Sequence, residues 1–369
     1  MAIRAISAVP VVIPLKRAAR MATRALRARE YVLVHVSTDE GAEGLGYAYA
    51  GTAGARPVAA MIDELCAPLL IGKDPSLITG HWDAMYQEML LLGRRGAGLR
   101  ALSAVDIALW DLLGKTAGLP LYQLLGGRAG TVPAYASGGY YREGKGPAGL
   151  QEELGRYQSL GFTDFKIKVG GASLDKDRDR VRAAREAIGA GARLAVDANN
   201  AYRSAPEAVR AVRAFEPYDI WWFEEPLSPD DVAGHARVAA ATDVPVATGE
   251  IEATRFGFRD LITSGAASIL QPDAGVLGGI TEWLRVAHMA AGFSLPVAPH
   301  WHANLHVHLV ATVTNAVTVE YFDPEEDIYN FEAIVAEPLR PESGTLRVPE
   351  RPGLGVILDD ELVRRFAAR

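Results

Sequence analysis

Seven polar residues recur along the chain at nearly constant intervals: Lys168, Asp197, Glu224, Glu250, Asp273, His300 and Glu320, separated by 29, 27, 26, 23, 27 and 20 positions. Each stands at or just past the end of a short apolar, β-branched run. A β-strand with its return helix occupies about 25 to 30 residues, so each βα unit carries one reactive side chain. Placing such groups at the C-terminal ends of successive strands is how a (β/α)8 barrel builds an active site.

In Phe165-Lys166-Ile167-Lys168-Val169 the two lysines share one face of a strand and the apolar residues the other. The apolar face meets helices, which puts both lysines inside the barrel. Their mutual repulsion and partial burial predict a lowered pKa for at least one. A lysine near neutrality can serve as a general base. An isolated Lys-x-Lys is more often a solvated face, so the argument rests on what surrounds it.

Asp197, Glu224 and Glu250 end three consecutive predicted strands. Neighbouring strands lie about 4.8 Å apart, so three carboxylates converge and repel unless a cation joins them. An all-oxygen set without Cys or His favours Mg²⁺, with Mn²⁺ as a substitute, over zinc. Single strand-end acids often cap helices; three in succession are harder to explain that way. Glu225 should point to the opposite side and support the ligands from behind, whereas Asn199 shares the face of Asp197.

Asp273 and His300 follow on the sixth and seventh strands. A carboxylate bonded to one imidazole nitrogen fixes the tautomer and raises the basicity of the other. The pair would face Lys168 across the mouth, because strands two and seven lie on opposite sides. Glu320, on the eighth strand, is read as a donor of a proton or hydrogen bond to a developing oxyanion.

The elements that hold these groups follow from periodicity. Strands are predicted at 132–137, 165–169, 194–198, 220–223, 244–248, 268–270, 296–298 and 317–321, with amphipathic helices such as 174–188 and 205–215 between them. Residues 1–125 lack this rhythm. They read as an antiparallel meander (9–15, 30–37, 44–49) followed by helices at 56–69, 77–92 and 98–117, an α+β unit. The expected architecture is therefore α/β: an N-terminal α+β unit over 1–125, a (β/α)8 barrel over 126–322, and a C-terminal segment, 323–369, returning to the first unit.

The composition fits a catalyst of small molecules. The 369 residues are 49% hydrophobic and 22% charged, with net charge −7 from 38 basic and 45 acidic residues. Bulk attraction to nucleic acid is disfavoured. No apolar span of membrane length and no secretory h-region is present. The single cysteine, Cys66, suits a reducing compartment, so a cytoplasmic location is expected.

Together these residues resemble the enolase superfamily and, within it, the mandelate racemase-like group. The matching segments are Lys166-Ile-Lys168, Val196-Asp197-Ala-Asn199, Trp222-Phe-Glu224-Glu-Pro, Thr248-Gly-Glu250, Gln271-Pro-Asp273, Ala298-Pro-His300 and Val319-Glu320-Tyr-Phe. They span the barrel in the family's order, and the N-terminal unit over 1–125 looks like the family's capping domain. The resemblance implies that Asp197, Glu224 and Glu250 bind Mg²⁺, and that Lys168 and the His300–Asp273 pair are acid/base catalysts. Lys166 would neutralise the substrate carboxylate. It further implies abstraction of a proton α to a carboxylate and a homo-oligomer.

Ala298-Pro-His300 before a His-rich helix start resembles acid-sugar dehydratases, with racemisation, epimerisation or cycloisomerisation as alternatives from the same bases. Arginines 17, 20, 24, 27 and 29 fall in the cap loop that should close over the substrate, and they would suit a polyhydroxylated ligand, a dicarboxylate included. The candidate substrate contacts are Asn199, Lys166, Arg20, Ser137 and His302.

Two other signals are set aside. His302 and His306 have helical zinc spacing, but Ala303 stands where a His-Glu-x-x-His motif needs glutamate. Gly114-Lys115-Thr116 ends like a phosphate-binding loop, but Leu109 replaces the required glycine, so it reads as a helix C-cap.

Overall fold

The computed structural model describes residues 1–368. The first unit is an antiparallel sheet of β1 (Ile3–Arg20), β2 (Ala25–Thr38) and β3 (Glu43–Tyr49), in that order. β1 and β2 run well past the predicted 9–15 and 30–37, because pairing resumes at Ala19↔Leu26 after an irregularity following Pro14. The extra length carries the hairpin tip to the barrel, where Arg20 and Tyr141 exchange backbone hydrogen bonds of 2.9 Å. Thr23 Oγ1 also donates to Asn199 O.

The helix Ala97–Ala117 packs across this sheet. It does not end at Gly114; Gly118, at φ +68°, is the left-handed cap. Gly114 instead lies against the tail, where a Cβ would meet Gly353 Cα at 2.8 Å. The same helix is tied to the barrel. Asp106 accepts from Thr281 N at 3.0 Å and from its hydroxyl at 2.6 Å, and Ser103 Oγ accepts from Gly278 N.

The second unit is a ring of parallel strands: β4 (Thr131–Gly138), β5 (Asp164–Lys168), β6 (Arg193–Asp197), β7 (Ile220–Glu224), β8 (Val246–Thr248), β9 (Ile269–Leu270) and β10 (Val319–Tyr321), with β10 pairing back onto β4. The predicted strand at 296–298 shrinks to bridges from Val297 to Leu270 and Ala316. Pro296 and Pro299 flank it and cannot donate to a ladder. The ring still closes through Val297.

Phe165, Ile167, Leu194, Val196 and Phe223 face the helices, as unbroken apolar strands in a covered parallel sheet should. Inside, Tyr135, Ala195, Trp222, Ala247, Ile269 and Ala298 form a separate plug that floors the reactive layer. Beyond the barrel, β11 (Pro341–Glu342) and β12 (Thr345–Arg347) form a hairpin that pairs antiparallel with β4. The last helix, Asp360–Phe366, then reaches β1 through a Val11–Ala367 bridge. One apolar cluster runs from Val11, Tyr31 and Tyr47 of the cap to Trp283, Leu305 and Ile334 beyond it, so cap and barrel share a core.

Candidate active site

Register brings the acidic groups together. Lys168 pairs with Asp197 across β5 and β6, and Asp197 with Glu224 across β6 and β7. Glu250 lies two residues past β8; Gly249, at φ +124°, turns the chain there, and a Cβ would strike the Phe258 ring at 2.7 Å. Asp197, Glu224 and Glu250 each offer an oxygen within 4.8 Å of the others. The Oε2 of Glu250 is buried without a hydrogen-bond partner. Three hard oxygen donors around one point, one of them unspent, fit a divalent cation of the Mg²⁺ type.

Donors hold the cluster in place. Glu224 Oε2 accepts from Trp222 Nε1 at 2.8 Å and from Gln271 Nε2 at 2.6 Å. Asp197 accepts from the Asn199 backbone at 2.8 Å and from its amide at 3.2 Å. Burial raises the Glu224 pKa against the pull of Lys166, and Asp197 and Glu250 raise it further. That cost is what a cation would remove.

Lys166 Nζ lies 2.6 Å from Glu224 Oε1 and 2.8 Å from Glu320 Oε1, with the Tyr135 ring beneath it. Lys168 pairs with Asp197 beside the Tyr140 ring. The lowered lysine pKa expected from sequence is not found. Burial does oppose both charges, but Glu224 and Glu320 for Lys166, and Asp197 for Lys168, outweigh it and hold both above the ordinary lysine value. Lysine–lysine repulsion is the weaker effect.

On the other side, His300 Nδ1 is 3.0 Å from Asp273 Oδ2, and its Nε2 is 3.5 Å from Glu250. Burial disfavours the imidazolium, yet Glu250 and Asp273 raise the His300 pKa to about 9. Asp273 Oδ1 accepts from Gly275 N at 2.7 Å, so the carboxylate is fixed from both ends.

Lys168, Glu250 and His300 line one cavity of about 250 Å³ with Asn199, Tyr140 and Trp301. Both proposed bases therefore open onto the same space as Glu250, while Asp197, Glu224 and Lys166 are buried and do not line it.

Several expectations are corrected. Glu320 accepts from Trp301 N at 2.8 Å, and Lys166, His300 and Lys168 hold it ionised despite burial; in this arrangement it is an acceptor, not a proton donor. Glu225 does not turn away. Its φ of +42° breaks the two-residue alternation, and it lines the cavity with both oxygens unpartnered.

Arg20 lies outside the site, donating to Gly171 O beside the Tyr141 ring in a separate groove. His302 is fully buried among Tyr31, Tyr47, Tyr329 and Phe331, away from the cavity wall. Ser137 is buried with a free hydroxyl but is not on that wall either.

In their place the cavity holds Arg24, Arg29, Arg100 and Tyr49. Arg24 and Arg29 belong to the arginine run noted in the sequence. Arg100 and Tyr49 were missed, because only docking of the cap brings them to the mouth.

Residues 3–126 match the family described as "Mandelate racemase / muconate lactonizing enzyme, N-terminal domain", and residues 149–362 match "Enolase C-terminal domain-like". The chain is 37% identical over 348 residues to the arabinonate dehydratase of Saccharolobus solfataricus, covering 92% of this chain and 91% of that protein. A racemase from Streptomyces coelicolor solved with bound magnesium superposes with TM-score 0.93 at 35% identity, covering 99% of this chain and 100% of that one. An L-talarate dehydratase from a Polaromonas species, solved with Mg and L-glucarate, gives TM-score 0.90 at 34% identity, covering 100% and 98%. The capping sheet and the closed barrel thus have their counterpart in known proteins, and the chain belongs to the mandelate racemase/muconate lactonizing enzyme family of the enolase superfamily.

Proposed function

We propose that this chain removes the proton α to the carboxylate of an acid sugar and expels the β-hydroxyl as water, leaving a 2-keto-3-deoxy acid. The observation that carries the reading is that Lys168 and the Asp273-bound His300 open onto one cavity beside three convergent carboxylates. Relatives solved with magnesium, and relatives named as dehydratases, support it.

Asp197, Glu224 and Glu250 would hold Mg²⁺, which when bound supplies positive charge where the substrate carboxylate gains negative charge. Lys166, anchored between Glu224 and Glu320 and not itself on the cavity wall, would add positive charge behind that carboxylate. Lys168 and His300 act from opposite faces. The carboxylates that raise the two pKa values against burial, Asp197 for Lys168 and Glu250 for His300, are the ones a cation would neutralise. With that charge taken up, one group would be free to take the α-proton while the other delivers a proton to the departing hydroxyl. Asp273 fixes the imidazole orientation.

The wall suits a polyol. Buried polar atoms without partners face this cavity or belong to its lining residues: Arg29 Nη2, Asn199 Oδ1, Asn200 Nδ2, Trp301 Nε1 and both oxygens of Glu225. Unpaired buried polar atoms are costly, and sugar hydroxyls would satisfy them.

The test is to incubate the protein and Mg²⁺ with an acid-sugar library and assay for 2-keto products. Racemisation or lactone isomerisation without any keto acid would replace this reading with an isomerase using the same bases. Two lesser proposals accompany it. Cys66 is free and buried, and no helix among the described residues is long and apolar enough to cross a membrane, which supports a cytoplasmic setting. Leu91 is 95% exposed between Leu90 and Leu92, which supports burial of this patch in a homo-oligomer.

A further inference from the structure

The groups around the cavity are unbalanced in one direction. Arg29 is buried, Arg100 is half-buried and Arg24 is exposed at the rim. Among the described residues none of the three forms an ion pair with a carboxylate. Arg29 spends its donors on neutral partners, Ile328 O at 3.3 Å and the Tyr49 hydroxyl at 2.5 Å, with its guanidinium 4.7 Å from the Trp301 ring centre. Its second terminal nitrogen is buried without a partner. Arg100 donates to the Tyr49 carbonyl, again a neutral group.

Buried or partly buried charges are normally paired. Here Asp197, Glu224, Glu250, Asp273 and Glu320 already lie against the two lysines and His300, and Glu225, whose oxygens are unpartnered, forms no ion pair with an arginine among the described residues. At the cap end the three arginines line the cavity with no carboxylate of the described residues within ion-pair distance. A monocarboxylate whose acid group lies at the metal end would leave these guanidiniums facing hydroxyls alone.

Resting on the acid-sugar reading above, we infer that the substrate is a dicarboxylate: an aldaric acid whose first carboxylate lies at the acidic cluster with Lys166 and whose second is held by Arg24, Arg29 and Arg100. A planar guanidinium pairs with a carboxylate through two parallel hydrogen bonds. Arg29 is pre-set for this by its stacking between Trp301 and Tyr49. The relatives named above include one for an aldonate and one solved with an aldarate, so similarity alone does not choose between them. The unpaired arginines do.

The test compares six-carbon aldarates with aldonates of matching configuration (gluco, galacto and manno) on the Mg²⁺-loaded protein. Turnover is followed as kcat/KM and binding by calorimetry. The expected result is at least a ten-fold preference for one aldarate over its aldonate, collapsing toward parity in Arg24→Ala and in Arg100→Gln. Arg24 has an exposed side chain, so its replacement does not threaten the fold; melting temperature controls for Arg100. A preference for aldonates, or a preference that both substitutions leave intact, overturns the inference. If keto products form from aldonates only, the dehydratase reading survives and the dicarboxylate assignment fails. If no acid is turned over, the reaction reading fails, and the calorimetric comparison still decides whether the arginines bind a second carboxylate.

Discussion

His300 Nδ1 lies 3.0 Å from Asp273 Oδ2, and the far oxygen of Asp273 accepts from Gly275 N at 2.7 Å. The imidazole is thereby aimed with Nε2 toward Glu250 and the cavity. Asp273→Asn keeps the shape but removes the charge that supports the protonated ring. Turnover should fall on the order of 10² to 10⁴-fold, with Mg²⁺ affinity nearly unchanged. Equal losses in both would show that Asp273 acts on the metal ligands instead.

Trp222 and Gln271 both donate to Glu224 Oε2. Groups that orient a metal ligand typically contribute 10 to 100-fold in affinity. Gln271→Leu should therefore weaken Mg²⁺ binding by roughly that factor in a calorimetric titration. An unaltered isotherm would remove Gln271 from the account.

Mg²⁺ should also stabilise the fold, since the acidic cluster repels itself without it. At a free concentration of 100 Kd the gain is about 2.7 kcal/mol, visible as a rise in Tm that chelator reverses. Glu250→Gln should lose most of that rise and should not lower the metal-free Tm. A full response in Glu250→Gln would place the ion elsewhere.

Acid should unfold the protein through its buried histidines. His308 Nδ1 accepts from Tyr122 N at 3.3 Å while Nε2 donates to Leu354 O, and His306 Nε2 accepts from Ala274 N at 3.1 Å. Each ring must be neutral to accept, and burial lowers both pKa values from 6.5 to about 4. The unfolded chain then binds more protons between pH 6.5 and 4. Stability is complete above that window and falls as pH drops through it, by up to roughly 3 kcal/mol for each ring. Denaturant midpoints measured across the window should show this slope, and His308→Gln should flatten it. A slope identical in the variant would assign acid sensitivity to other groups.

Much of this was legible in the chain. The spacing of strand-end residues reports the barrel because each βα unit has a nearly fixed length, and two-residue alternation placed Lys166 and Lys168 inside. What periodicity misses is local backbone sign and distant docking. Glu225 faces the cavity through a positive φ, and the seventh strand loses its ladder to two prolines. The cap contributes Arg100 and Tyr49 rather than Arg20, a choice set by how the hairpin tip and the helix Ala97–Ala117 seat on the mouth. The lysine pKa values reversed because the carboxylates that surround them lie far away in sequence and could not be weighed against repulsion between neighbours.

The most direct measurement is solvent deuterium incorporation at the α-carbon, followed by NMR in D₂O with Mg²⁺ and the acid-sugar library, for the wild type, Lys168→Ala and His300→Ala. The account predicts exchange or elimination in the wild type, and a fall of at least about 10²-fold in each variant with folding and Mg²⁺ binding retained. No α-exchange with any acid in the metal-loaded wild type, or variants that exchange as fast as it does, would contradict the claim that these two side chains move the proton.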